Sequence, residues 1–152
     1  MRLLHVLTYK GLPAALLPLC LCGCTASDGS QPVRAGGVVM YNGSPLPDAE
    51  IVFAPEEKDR VASATTDKNG RFRLTTFRPG DGALPGKHRV TVIARGPAKE
   101  PPPGSPAALM PEDYAIPGDP LIPVKYFSPA TSDLTAEVSP RGGNDFKFEL
   151  HD

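Results

Sequence analysis

From Val33 onward, apolar and polar residues alternate at period two in short runs closed by Gly, Pro, Asn or Asp. That period puts successive side chains on opposite faces, so each run predicts a half-buried β-strand. Gly37 to Tyr41 is the first, stopped by Asn42-Gly43, a strong tight-turn dipeptide. Pro45 and Pro47 bar a strand interior just beyond it. Ala49 to Ala54 follows, with Ala49, Ile51 and Phe53 on one face. Ala62 to Thr66 and Arg71 to Thr75 predict a hairpin about Asp67-Lys68-Asn69-Gly70. Its Phe72 and Leu74 point inward, and Arg71 and Arg73 point to water. Lys87 to Ala94 alternates most clearly, with His88, Val90, Val92 and Ala94 inward and Ile93 breaking the pattern outside. Leu134 to Val138 and Asp145 to Leu150 predict a last hairpin around Arg141-Gly142-Gly143-Asn144, with Phe146, Phe148 and Leu150 inward. No helical stripe interrupts this series, although Ser128 to Leu134 fits a single helical turn. The expected fold is all-β: one seven-stranded antiparallel sandwich.

Residues 96–123 break the pattern. Nine of the 19 prolines fall there, including Pro101-Pro102-Pro103. This composition predicts a polyproline-like loop inserted between strands rather than an element of the sheet. Loops of this length are places for function or for disorder. Glu112, Asp113, Tyr114 and Asp119 make it acidic and exposed. If the chain has a contact surface, its candidates are Tyr114, Tyr126 and Phe127 in and beside the insertion, with Phe77 a further exposed aromatic. The rival reading has Tyr126 and Phe127 covering the open end of the sandwich.

The N-terminus changes where this domain belongs. Arg2 and Lys10 precede an uncharged stretch, Gly11 to Leu21, of about the length of a signal h-region and well short of a membrane span. Leu21-Cys22-Gly23-Cys24 resembles the bacterial lipoprotein lipobox, with cleavage between Gly23 and Cys24 and lipid attached to Cys24. Cys20 and Cys22 follow leucines, which fit that site less well. The expected organisation is a signal peptide over 1–23, a flexible tether over 24–32 and a domain over 33–150. The mature chain would then hold 152 − 23 = 129 residues with charge 14 − 17 = −3. Without a basic excess, nucleic acid is not an expected partner. The lipid would consume the one remaining thiol, leaving no disulfide. The resemblance implies an envelope protein held by its lipid anchor. Thr25 favours the outer membrane over the inner by analogy with the enterobacterial sorting rule.

Tyr41-Asn42-Gly43-Ser44-Pro45-Leu46, Thr66-Asp67-Lys68-Asn69-Gly70-Arg71-Phe72 and Pro85-Gly86-Lys87-His88-Arg89-Val90 stand in the order found in carboxypeptidase regulatory-like domains. The chain resembles that family from Val33 to Leu150, insertion excepted, with His88 where the family has Tyr. Ile122 to Tyr126, Pro129 to Ser132 and Phe146 to Leu150 are similar to small lipoproteins of planctomycete-type bacteria carrying this domain. The resemblance implies a transthyretin-like (prealbumin-like) sandwich, with Tyr41 and Tyr126 as framework positions. It implies no reaction.

Candidate chemistry is sparse. Asp67 to Gly70 looks like half a calcium loop, but position twelve is Arg78 rather than Glu, so a turn explains it better. His88 replaces an aromatic on an inward face and reads as a packed, hydrogen-bonded core residue. Relatives on the transthyretin-like sandwich use several histidines with a Tyr-Arg-Gly-Ser tail, or two tyrosines and two histidines around iron. This chain lacks that tail, and its tyrosines and histidines lack motif spacing. No catalytic residue, metal or cofactor is therefore expected. The expected function is that of a non-enzymatic envelope module contacting a protein. The alternative is a glycan-binding lipoprotein.

Overall fold

The computed structural model describes residues 31–57, 60–105 and 116–152. Eight strands and one 3-10 turn make up its regular elements: β1 (Ala35–Tyr41), β2 (Ser44–Pro45), β3 (Glu50–Pro55), β4 (Ala62–Thr65), β5 (Arg71–Arg73), β6 (Gly86–Ile93), the 3-10 turn (Val124–Phe127), β7 (Thr135–Val138) and β8 (Asn144–Leu150). They form two four-stranded sheets. In the first, β1 is central, with β2 and β5 antiparallel to successive parts of one side and β8 parallel to it on the other. The second has the order β4-β3-β6-β7, all antiparallel.

The inward positions follow the alternation. Phe53 on β3 is fully buried, and its ring lies 5.4–6.2 Å from those of Phe72, His88, Phe146 and Phe148. Because Phe72, Phe146 and Phe148 belong to the other sheet, this aromatic cluster joins the two layers. Withdrawing one such ring from water contributes about 2–3 kcal/mol. Val39, Ile51, Leu74, Val90, Val92 and Leu150 complete the core at 0% exposure. His88 packs as expected, its Nδ1 3.0 Å from the Gly86 carbonyl. Thr91 departs from the alternation: it is buried although its parity puts it outside, on the strand that also contacts the 3-10 turn.

Strand count and direction both differ from the expectation of seven antiparallel strands. Ser44–Pro45 adds an eighth at the edge of β1, where a missing proline N–H costs no ladder bond. The two predicted hairpins are also not simple hairpins. The turn at Asp67 to Gly70 forms, and Ser63 still exchanges hydrogen bonds with Thr75 at 2.9 and 3.0 Å. Between those points the arms diverge, β4 joining β3 and β5 joining β1. In the same way β7 pairs with β6, and the 139–143 connection crosses to the opposite sheet before β8 begins. Entering by a crossing rather than a return makes β8 parallel to β1.

Residues 96–123 are bound to the sheet at their base. Gly96 N–H donates to Asp119, Leu121 N–H to Ala94 and Lys99 N–H to Ile116, at 2.9–3.0 Å. These isolated bridges carry antiparallel pairing just past β6, and no strand falls in the described part of 96–123. A Lys99–Asp119 ion pair at 2.6 Å closes the base.

Candidate functional site

The register of the first sheet creates a groove on its outer face. Arg73 on β5 and Asp145 on β8 are both partnered with Gly36 on β1, one on each side. Gly36 carries no side chain, so the strip between the two charged residues is bare backbone. One step along, Arg71 is partnered with Val38. Arg34, just before β1, also lines the groove. The resulting groove has a volume of about 680 Å³, within the roughly 300–1,000 Å³ range of small-molecule sites.

The guanidiniums of Arg34, Arg71 and Arg73 are exposed, and among the described residues none has an ion-pair or hydrogen-bond partner. Arg is a planar donor suited to bidentate capture of carboxylate or phosphate. Asp145 and Asp67 supply acceptors at the rim. Asp67 is partly committed: its Oδ1 accepts the N–H groups of Asn69 at 2.8 Å and Arg71 at 2.9 Å. This is the turn, rather than calcium, reading of that segment. Gly70 completes the turn against β1, where an added Cβ would lie 2.4 Å from the Val39 carbonyl oxygen.

Asn144 fixes the far wall. Its Oδ1 accepts from Ser139 N–H at 2.8 Å, and its Nδ2 donates to the carbonyls of Ser139 at 3.0 Å and Arg34 at 3.3 Å. One buried amide thus ties the crossing connection to a residue of the groove lining.

The aromatic residues singled out in the sequence do not come together as a platform. Tyr126 is buried at 4% exposure, which corrects its reading as a surface contact. It sits in the 3-10 turn, and its hydroxyl is occupied by the backbone of His151. Phe127 is half-buried under the Arg95 guanidinium, 4.9 Å from the ring centre. Both match the covering role weighed as the rival. Phe77 is 53% exposed beneath Arg60. Tyr114, Gly23 and Cys24 lie outside the described residues.

The alternation had already placed Arg71 and Arg73 outside, and Gly36-Gly37 was visible at the start of β1. What was missing was the strand order that sets β1 between β5 and β8. Among the described residues no three His, Cys, Asp or Glu side chains cluster to hold a metal ion, and no helix is long and apolar enough to cross a membrane. No family model, curated protein or solved structure matches the chain.

Proposed function

We propose that this chain is a lipid-anchored module of the cell envelope, with a transthyretin-like β-domain that acts by binding rather than by catalysis. The observation that carries the binding role is the glycine-floored groove with three arginines that no acid of the described domain neutralises. Unneutralised guanidiniums gathered around a concave surface suit an external anionic partner. The anchor rests on Leu21-Cys22-Gly23-Cys24. With a lipidated Cys24, the tether would hold the groove within reach of other envelope components.

Intact mass and membrane partition test the anchor, with the wild type expressed in a bacterial host beside Cys24→Ser. The expected wild-type mass is that of the chain from Cys24 plus acyl groups, found in the membrane fraction. A wild-type chain that keeps Met1 and carries no acyl group would overturn it.

A further inference from the structure

Resting on the binding role just proposed, we infer that the groove takes an acidic polysaccharide of the uronate type, a polymer carrying both carboxylates and hydroxyls. The two sides of the groove ask for different chemistry. Arg71 and Arg73 stand on β5 and offer forked donors that match a carboxylate. Across the bare Gly36 backbone, Asp145 offers only acceptors. A ligand spanning the groove therefore needs an anionic acceptor on one side and hydroxyl donors on the other. A uronate unit has both within a single ring.

Other polyanions fit less well. A carboxylate-rich peptide satisfies the arginines but has no hydroxyls for Asp145 and Asp67, only backbone N–H groups that must turn toward them. A phosphate-rich surface sets like charge against both acids. A neutral glucan satisfies the acids and leaves the three guanidiniums without an anion. The floor favours a flat ligand too, because Gly36 lets it rest on the strand backbone. The backbones of residues 34, 71, 73 and 145 are held by two strands and by the Asn144 amide, while the long arginine side chains remain to be ordered by the ligand.

The test uses the full chain in detergent micelles, passed over immobilised polygalacturonate, polyglutamate and dextran. Polygalacturonate has carboxylates and hydroxyls, polyglutamate carboxylates and amides but no hydroxyls, and dextran hydroxyls but no carboxylates. Retention is expected on polygalacturonate, weakening as salt rises. Arg71→Gln/Arg73→Gln should weaken it about tenfold with the thermal midpoint unchanged, since both side chains are exposed. Arg71→Lys/Arg73→Lys keeps the charge and loses the fork, so retention should fall between those two. Asp145→Asn should reduce the preference for polygalacturonate over polyglutamate.

Equal retention on polyglutamate would overturn the polysaccharide assignment in favour of an acidic peptide. Elution by glycerol phosphate as readily as by soluble galacturonate oligomers would overturn it in favour of lipid headgroups. Absence of retention, or retention untouched by the double arginine change, would also overturn it. None of these outcomes bears on the mass and partition of Cys24, so the anchor and the ligand class fail separately.

Discussion

The Tyr126 hydroxyl donates to the carbonyl of His151 and accepts that same residue's N–H, both at 3.1 Å. A buried phenol in a turn thereby takes the place of a neighbouring strand for the segment that follows β8. Tyr126→Phe leaves one donor and one acceptor without this partner and should cost about 1–2 kcal/mol. Urea denaturation would read that loss as a lower midpoint with an unchanged slope. Polygalacturonate retention should not change in the same variant, because the ring is buried and does not line the groove. Loss of retention with the fold intact would restore Tyr126 as a contact residue.

Gly36→Ala reports on the groove floor. An alanine Cβ there would lie 2.6 Å from the Phe72 carbonyl oxygen, a backbone atom that cannot swing aside. β1 and β5 would have to separate locally, at a cost of about 1–3 kcal/mol. Thermal unfolding should show the loss. The folded fraction should also retain polygalacturonate less well, since the floor is raised and Arg73 displaced.

Asp81 provides a pH handle outside the groove lining. Its Oδ1 accepts Thr76 N–H at 2.7 Å, and its Oδ2 accepts Phe77 and Arg78 N–H at 3.0 and 2.9 Å. Burial pushes its carboxyl up, but these backbone donors outweigh burial and hold it below its ordinary value. A depressed folded value means the stabilisation is complete above the unfolded carboxylate value and fades as pH falls through the folded one. Asp81→Asn should therefore lower stability by about 1–2 kcal/mol at neutral pH. The gap between variant and wild type should close in acid. Denaturant midpoints measured at neutral pH and at about pH 2.5, below the ordinary Asp value, check both halves. A gap that persists in acid would assign the loss to shape rather than charge.

Side-chain direction was legible from the chain because it is local. Phe53, Phe72 and Phe148 sit where period-two alternation puts them, and the Asn42-Gly43 and Asp67 to Gly70 turns form at positive φ where expected. Pairing was harder because partners are chosen across the whole chain. The 62–75 segment has its turn and even keeps hairpin bonds between Ser63 and Thr75. Yet Ile51 and Phe53 on β3 draw β4 away, while β1 takes β5. The groove was invisible for the same reason. Arg73 and Asp145 are far apart in sequence and become neighbours only through Gly36. Tyr126 misled because an aromatic next to a proline-rich stretch looks the same whether it caps a core or faces a ligand.

The parallel pairing of β1 with β8 sets the order in which the domain can be completed. The Asn144–Arg34 hydrogen bond at the head of that pair spans 110 residues, among the most distant contacts in the chain. Closing a loop of that length is entropically costly and comes late. Until β8 is in place, Val39 and Phe53 lack the cover of Phe146, Phe148 and Leu150. A chain growing from its N-terminus therefore has no finished core to fall into until its last strand is made. The sheet β4-β3-β6-β7 lies wholly upstream of β8, so one layer can pair before the strand that closes the other is available.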